Sequence, residues 1–328
     1  MSNKKPTLKD VASKAGVAVS TVSYVINNNS SISDVVKKRV FKVIEQLGYV
    51  PNSSAQNMRT GRSMIIGLVI PDIVNPFFPE LAQSVENSAR EYGYSTIIVD
   101  TNLDNKIESE SIDRLIECGV DGIVCFPTSQ IDPFQDKNTK IPKVIIDRLL
   151  NKYDTVIPNH KQGGKLQAEY LLSLGHKKIG MINGPLNVDN MKLRRDGFID
   201  EIADKAEIVW EVENPFSMEI TSEVKKHLLK NDVTAIVSGN DMIAIGAMEF
   251  LKESNIKIPE EISLVGFDNI PWGQWLSSKL TTISLPVSEL GSEAVRFLLR
   301  RINRPTAPIL NLSIDVNMVI RESVTSRN

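Results

Sequence analysis

The stretch that decides the first part of the fold reads TLKDVASKAGVAVSTVSYVINNN, residues 7–29. Thr7, with Asp10 three positions later, is close to the capping box that begins a helix, and Gly16 is suited to end that helix. A second helix follows, with valines on one side and hydroxyl side chains on the other. Two short helices joined at a glycine are typical of a helix-turn-helix, so we expect a small all-α domain over residues 1–50.

A third helix is expected to complete this bundle. Ser33 is its predicted cap, apolar side chains recur at helical spacing as far as Leu47, and Gly48 stops it. Residues 51–63, PNSSAQNMRTGRS, are polar and contain Pro and Gly. They are predicted to be a hinge between this domain and a larger body over residues 64–328.

Charge is unevenly distributed along the chain. The net charge is −2, yet residues 1–62 carry ten basic and three acidic side chains, which is +7 at this end and −9 on the remainder. A basic end on an acidic body indicates a polyanion partner for that end alone. On charge alone, a solvated lysine-rich surface would explain the pattern equally well.

Residues 7–29, followed by VIEQLGYVPNSSAQNM at 43–58, resemble the head of the LacI family of bacterial transcription regulators. Ala18 and Val36 depart from the usual Ser and Thr of that family. The resemblance implies that the second helix lies in the major groove of operator DNA. Hydroxyl and amide groups suit phosphate oxygens there, and apolar groups suit a thymine methyl. The implied base contacts are Val19, Ser20 and Tyr24, and the implied phosphate-binding or supporting residues are Thr7, Thr21, Ser23 and Asn27.

The same resemblance gives the hinge a role on DNA. It implies a short helix that forms on the operator, with Ala55, Gln56 and Met58 at the positions that enter the minor groove. Met58 is apolar and flexible, which suits a side chain that wedges into a base step. The alternative is a disordered tether that never contacts DNA.

The body alternates short apolar runs with helical patterns, which predicts parallel β-sheets wrapped by helices. In such sheets a ligand binds beyond the carboxyl ends of the strands. Polar and aromatic side chains follow these runs, so we expect them to line one cleft. The runs are MIIGLVI (64–70), STIIV (95–99), GIVCF (122–126), KVIID (143–147), KIGMI (178–182), TAIVS (234–238) and ISLVGF (262–267).

Residues 64 to about 322 are similar to the two-lobed, periplasmic-binding-protein-like α/β domain of the same family. The most specific stretches are GHKKIGMINGP, SGNDMIAIGAM, LVGFDNIPW and LTTISLPVSELG. The similarity implies lobe 1 at about 64–160 and 288–319, and lobe 2 at about 161–287 and 320–328. It also implies a ribose-type effector pocket, formed by Asn75, Phe77, Phe78, Asp147, Arg148, Arg194, Asn240 and Asp268, to which Trp272 would add a ring.

This set suits a sugar, because aromatic rings cover C–H faces while carboxylates, guanidinium groups and amides bind hydroxyls. Other roles stay open for single residues. Asp268 and Asn240 could hold turns, Phe77 could belong to the core, and Arg148 could pair only with Asp147. A purine is the alternative effector, and an apolar Val188 weighs against it.

Enzyme motifs are missing from the sequence. GxGxxG, GxxxxGK[ST], HExxH and GxSxG do not occur, and the three histidines lack metal-ligand spacing, so we expect neither catalysis, a metal nor a cofactor. Cys118 and Cys125 lie in apolar surroundings and are interpreted as packing residues. Without a membrane-length apolar run or a leader, a cytoplasmic protein is expected.

The expected function is a repressor that binds a palindromic operator as a homodimer, controlled by a small-molecule effector, most simply a sugar. A purine or a protein corepressor is the alternative within this class. A different class, a sugar-binding transport protein without a DNA function, would share the body but not the basic head. The direction of the effector's influence on DNA binding is unreadable from sequence.

Overall fold

A computed structural model describes residues 6–26, 32–49, 61–135, 137 and 139–327. The chain separates into two compact units, Met1–Ser63 and Met64–Asn328. This division falls where the sequence predicts the hinge to end.

The first unit contains the three predicted helices, α1 (Leu8–Ala15), α2 (Val19–Ile26) and α3 (Asp34–Leu47). The predicted capping box is confirmed, because the backbone N–H of Thr7 donates to Oδ2 of Asp10 at 2.8 Å while Oγ1 of Thr7 accepts from the Asp10 N–H. Left-handed Gly16 and Gly48 end α1 and α3, at φ 63° and 59°. Ser33 precedes α3 as expected, but its side chain makes no capping hydrogen bond to that helix.

Small and β-branched side chains form the core of this unit. Their helical spacing places them on the inner faces, and the alanines let α1 lie close to its neighbours. A bundle of this size is held by few side chains, so each is important for its stability. The buried set is Val11, Ala12, Ala15, Val22, Val25, Val40, Val43 and Tyr49.

The described part of the second unit contains two six-stranded sheets, which confirms the predicted two-lobed α/β fold. The first sheet has the order β11-β5-β4-β3-β1-β2 and is parallel throughout. Its strands are β1 (Ile65–Ile70), β2 (Ser95–Asp100), β3 (Gly122–Cys125), β4 (Lys143–Ile146), β5 (Asp154–Pro158) and β11 (Asn311–Ile314).

The second sheet has the order β12-β10-β9-β8-β6-β7, and β12 is its antiparallel edge strand. Its strands are β6 (Lys178–Asn183), β7 (Glu207–Glu213), β8 (Ala235–Ser238), β9 (Ser263–Asp268), β10 (Thr281–Ser284) and β12 (Asn317–Val319). The seven predicted runs all became strands, whereas β5, β7, β10, β11 and β12 were not predicted. β7 is an edge strand in which only Trp210 and Val212 are buried, and β5 buries the polar Asp154 and Thr155, so neither is a continuous apolar run.

Helices cover both sheets. They are α4 (Phe77–Glu91), α5 (Asn105–Glu117), α6 (His160–Ser173), α7 (Asp189–Ile202), α8 (Ser222–Leu228), α9 (Asp241–Glu253) and α10 (Val287–Asn303), together with a 3₁₀ turn at Pro271–Gln274. Among the helices that the structure describes, none combines the length and apolar character that a membrane span requires.

The chain crosses between the lobes three times. Two crossings, β5 to α6 and β10 to α10, lie near the predicted positions 160 and 287. The third was predicted near residue 320, but β12 already pairs with β10 in the second sheet, so this crossing lies between Ile314 and Asn317. An edge strand of three residues is too short to mark this boundary in the sequence.

Two glycines bring α6 and α7 into close contact. A Cβ atom on Gly164 would lie 1.9 Å from the carbonyl oxygen of Arg194, and one on Gly197 would lie 2.0 Å from that of Lys161. Backbone atoms cannot yield as a side chain can, so any larger residue would force the helices apart. The glycines therefore set the position of α7, which carries Arg194.

We predict that Gly164→Ala lowers the free energy of unfolding of the second unit by at least about 1–3 kcal/mol, because the added methyl group overlaps a backbone carbonyl. Lys165→Ala introduces the same residue at an exposed position of α6 and is the control, with an expected change within about 0.5 kcal/mol. Urea unfolding of the full chain measures both. Equal stability of the two variants would contradict the packing argument.

Candidate functional site

A cavity of about 60 Å³ lies between the two lobes, at the carboxyl ends of the strands. Lobe 1 contributes the segment after β1, the residues after β3 and the Asp-Arg pair after β4. Lobe 2 contributes α7, the residue after β8 and the end of β9. The lining residues are Pro71, Asp72, Asn75, Phe77, Phe78, Leu103, Phe126, Thr128, Asp147, Arg148, Asn190, Met191, Arg194, Phe216, Asn240, Asp268 and Leu285.

Eight of the nine residues predicted for the effector pocket line this cavity: Asn75, Phe77, Phe78, Asp147, Arg148, Arg194, Asn240 and Asp268. The structure does not bring the ninth, Trp272, to the cavity. Trp272 lies in the 3₁₀ turn after β9 and packs against the hydrophobic core instead.

Three phenylalanines form one wall of the cavity. The ring of Phe78 meets those of Phe77 and Phe126 edge-to-face, with centroids 5.2 and 5.0 Å apart, and all three side chains are buried. Such pairs hold each other in fixed orientations. Phe77 therefore belongs to the core and to the cavity wall at once, so the two roles considered for it are compatible.

A buried carboxylate joins the lobes at this site. Asp147, from lobe 1, accepts hydrogen bonds from Nε2 of His160 at 2.5 Å and from Nδ2 of Asn190 at 2.5 Å, both in lobe 2. It also pairs with Nη1 of Arg148. Burial by itself would raise the pKa of Asp147, but His160 and then Arg148 outweigh it and lower this pKa. The carboxylate is therefore ionised.

Arg194 is held on several sides within lobe 2. Its Nε donates to Nδ1 of His160 at 3.2 Å, and its Nη1 donates to the carbonyl oxygen of Gly239 at 2.7 Å. The guanidinium carbon lies 3.7 Å from the centroid of the Phe267 ring. A guanidinium group that is stacked and hydrogen-bonded in this way presents its third nitrogen, the donor Nη2, at a fixed position.

That donor points to Asp268. Nη2 of Arg194 lies 3.1 Å from Oδ1 of Asp268, which is an ion-pair distance. The contact is an ion pair, and Oδ1 has no hydrogen-bond partner among the described residues. Burial raises the pKa of Asp268 to about 6 although Arg194 opposes the shift. Asp268 also adopts φ 109°, an uncommon backbone conformation for a residue with a side chain, and such conformations are concentrated at functional sites.

Three buried polar atoms at the cavity lack hydrogen-bond partners among the described residues. They are the acceptors Oδ1 of Asp268 and Oδ1 of Asn190 and the donor Nε of Arg148. A buried polar atom without a partner costs about 1–3 kcal/mol. The site is therefore suited to a ligand that offers two hydrogen-bond donors and one acceptor, as a group of hydroxyls does.

Other residues have structural duties. Oδ1 of Asn240 caps α9 by accepting from the Ile243 N–H at 2.9 Å, so the turn-holding role considered for Asn240 is present beside its place in the cavity. Val188 is the buried residue that precedes α7 and is not among the lining residues.

Within the part of the chain that the structure describes, no cluster of three or more His, Cys, Asp or Glu side chains could hold a metal ion.

Sequence reasoning missed several lining residues. One of them is Asn190, which donates to the carboxylate of Asp147, as His160 does. Asn190 precedes Arg194 by four positions and therefore lies on the same face of α7, which was a usable signal. Phe126 ends a predicted strand, so it too could have been found. His160 was considered only as a metal ligand, and nothing local marks its contact with Asp147, thirteen residues earlier.

The exposed face of α2 carries the predicted base-reading residues. Ser20 is exposed, as are Val19 and Tyr24, whose exposed fractions are 39% and 48%. Thr21 and Ser23 are half-buried beside them. The hydroxyl of Thr7 donates to Asp10 at 2.7 Å and so serves the capping box of α1. Asn27, Ala55, Gln56 and Met58 lie outside the described residues.

Two family descriptions match the chain. Residues 7–52 match the bacterial regulatory proteins of the lacI family, and residues 63–322 match the periplasmic binding proteins and sugar-binding domain of the LacI family. Together they span both units.

Two bacterial repressors resemble the chain over nearly its whole length. The ribose operon repressor of Halalkalibacterium halodurans is 33% identical over 321 residues, which cover 97% of this chain and 96% of the relative. The transcriptional repressor PurR of Pasteurella multocida is 34% identical over 331 residues, covering 98% of this chain and 99% of the relative.

Solved structures agree with both units. A crystal structure of the lac repressor dimer bound to operator and an anti-inducer has a TM-score of 0.87 at 26% identity, covering 98% of this chain and 100% of that one. A LacI-family transcriptional regulator from Enterococcus faecium with bound ribose has a TM-score of 0.72 at 28% identity, covering 80% of this chain and 100% of that one.

Behind the cavity, Asp241 is fully buried and accepts from Thr282 Oγ1 at 2.6 Å and from the Ile270 N–H at 2.9 Å. Burial, then the nearby Asp268, raise the pKa of Asp241 from 3.8 to about 8. Between these values the folded chain holds a proton that the unfolded chain releases. Its stability is therefore predicted to fall as pH rises through this window, by at most about 1.4 kcal/mol per pH unit.

Asp241→Asn removes this titration, so the decline between pH 6.5 and 8.5 should become shallower than in the wild type. Asp204→Asn is the control, because Asp204 is exposed and its left-handed backbone suits Asn equally well. Urea unfolding at several pH values measures the slopes. Identical slopes in the wild type and Asp241→Asn would show that Asp241 does not hold the proton.

Proposed function

The chain belongs to the LacI family of bacterial regulatory proteins, and from this premise we propose that it is a transcriptional repressor whose effector is a neutral monosaccharide bound in the cavity between the lobes. The observation that carries the effector class is the set of three buried atoms, on Asp268, Asn190 and Arg148, that lack hydrogen-bond partners among the described residues. Hydroxyls both donate and accept, so a small polyol satisfies all three at once.

The size of the cavity supports a small ligand. Its volume of about 60 Å³ is several times the roughly 10–15 Å³ that a cavity needs to admit one water molecule. The wall of Phe77, Phe78 and Phe126 supplies apolar surface for the C–H face of a sugar ring.

The charges at the cavity support a neutral ligand. Three carboxylates, Asp72, Asp147 and Asp268, stand against the guanidinium groups of Arg148 and Arg194. Both guanidinium groups already lie within ion-pair distance of a carboxylate. A phosphorylated sugar would need free positive charge that these pairs do not supply.

A purine is the second candidate, favoured by the similarity to PurR. A flat base would stack on one aromatic face, whereas the three phenylalanine rings are arranged edge-to-face. The sugar is preferred on this ground and because a similar regulator contains ribose.

The head supports operator binding. α2 presents Val19, Ser20 and Tyr24 together on one exposed surface, with residues suited to thymine methyl groups and polar base edges. A single helix makes few base contacts, and the similar lac repressor is a dimer on its operator, so we infer a homodimer that reads a palindromic site.

A protein that works on the bacterial chromosome acts in the cytoplasm. The match to a DNA-binding head sets aside a transport protein, and the named relatives are repressors rather than enzymes.

The two activities are coupled through lobe closure. The cavity takes residues from both lobes, so a ligand bound there stabilises one relative arrangement of the lobes over others. An effector that favours one arrangement changes operator affinity by the same factor by which operator DNA changes effector affinity.

We predict that Arg194→Met weakens binding of the effector about tenfold or more, since a hydrogen bond to a charged group contributes about 1.5–3 kcal/mol. Arg195→Met is the matched control, because the neighbouring Arg195 pairs with Glu211 outside the cavity and should leave affinity unchanged. Calorimetric titration with D-ribose and other pentoses and hexoses, and with hypoxanthine and guanine, measures both. Binding of a purine with no response to any sugar would reverse the choice of effector.

Tyr24→Ala is expected to weaken binding to an operator selected from random duplexes by about tenfold, because it removes a base-facing side chain from each protomer. Phe41→Ala removes an equally exposed aromatic ring from α3 and is the control for the loss of a surface ring. Fluorescence anisotropy at fixed salt concentration measures both affinities. If Phe41→Ala weakens binding and Tyr24→Ala does not, α2 is not the reading helix.

A further inference from the structure

His160 lies where the chain passes from lobe 1 into lobe 2. It is the first residue of α6, one residue after the end of β5. The intervening Asn159 caps this helix, its Oδ1 accepting from the Gln162 N–H at 3.1 Å. The imidazole is completely buried. It is not among the residues that line the cavity, yet it touches two that are.

The two ring nitrogens have different partners. Nδ1 lies 3.2 Å from Nε of Arg194, and an arginine Nε–H can only donate, so Nδ1 must be an unprotonated acceptor. Nε2 lies 2.5 Å from a carboxylate oxygen of Asp147, which can only accept, so Nε2 carries the proton. The imidazole is therefore neutral, in the Nε2–H form.

The surroundings of His160 favour this neutral form. The charged groups that face it are Asp147 and Arg148 after β4 and Arg194 on α7, while β9 contributes the Phe267 ring with its centroid 6.1 Å away. Burial is the largest influence and lowers the pKa of His160, although Asp147 opposes the shift. The amino-terminal end of α6 also disfavours a positive charge at this position.

We propose that His160 is a positioning residue that connects Arg194 of lobe 2 to Asp147 of lobe 1, so that both effector-binding side chains are set together when the lobes meet. This inference rests on the proposed function of the cavity. It assigns His160 a task that packing alone does not explain, because the task needs one donor and one acceptor in a fixed order. A side chain of similar volume without both groups cannot perform it.

The connection also couples the position of Arg194 in lobe 2 to contact with lobe 1. Opening the cleft separates Asp147 from Nε2 of His160, and the ring is then free to turn away from Arg194. The position of Arg194, and with it the donor aimed at Asp268, consequently depends on contact with lobe 1. In this arrangement lobe closure and effector recognition are one event.

The first experiment determines the protonation of the ring in the full chain, without any effector. The protein contains three histidines, so ¹⁵N-histidine labelling with assignment by His160→Gln gives a tractable spectrum. At pH 7.5 we expect the Nε2–H form, with Nδ1 unprotonated. A proton on Nδ1, or a charged ring, would overturn the proposal whatever the effector is.

The second experiment compares His160→Gln with His160→Leu, using D-ribose as the probe. The Gln side chain has an amide NH2 donor group and a carbonyl acceptor, so His160→Gln should bind within about threefold of the wild type, whereas His160→Leu should bind at least about tenfold more weakly. His176→Gln is the control: His176 is a buried histidine bonded to Thr234 and Thr325 away from the cavity, so its loss should not change affinity. Unfolding curves exclude variants that do not fold.

The outcomes separate the two hypotheses. Equal affinity of His160→Leu and the wild type, or equal weakness of Gln and Leu, would overturn the positioning role while leaving the sugar site in place. If the wild type binds no sugar, the proposed effector fails, and the positioning role is then decided by the ring's protonation together with the Nε–H signal of Arg194. That signal should stay protected from exchange in His160→Gln and lose protection in His160→Leu, and protection in both would overturn the proposal.

Discussion

The effector site depends on one buried charge, the carboxylate of Asp147. Removing a carboxylate from water is costly unless partners compensate, and here the partners come from both lobes: Arg148 from its own lobe, His160 and Asn190 from the other. Breaking such a buried pair typically costs about 3–5 kcal/mol. The two lobes are therefore drawn together at the position where the ligand has to be recognised.

The remaining geometry supports this charge. The two glycine contacts bring α7 against α6 until backbone atoms touch, which places Asn190 and Arg194 within reach of Asp147 and His160. The three phenylalanines form the apolar wall of the site on the side of lobe 1. In a buried site the local dielectric constant is low, so hydrogen bonds become stronger and polar atoms without hydrogen-bond partners become more costly. The burial that fixes the network therefore also favours a ligand that bonds to the three atoms without such partners.

Much of this protein was predictable from local patterns. The capping box at Thr7, the glycines that end α1 and α3, and the alternation of apolar runs with helical patterns reflect short-range physics, and the structure confirms each of them. The similarity to the ribose-type pocket of the family, together with the rule that ligands bind beyond the carboxyl ends of parallel strands, predicted eight residues that line one cavity. The prediction for Trp272 was wrong although this residue does follow β9. The 3₁₀ turn determines the direction of its side chain, and the sequence pattern did not predict that direction.

The sequence by itself determined the two-part organisation, the helix-turn-helix and the α/β class, because these follow from spacing and composition over a few neighbouring residues. The residues of the cavity followed from the similarity of the sequence to its family. Only the tertiary structure decided that His160 bridges two binding residues, that Asn190 completes the site, that the third crossing falls before β12, and which polar atoms remain unpartnered. These features depend on distances between segments far apart in the chain, and such distances are set by how whole helices and sheets pack.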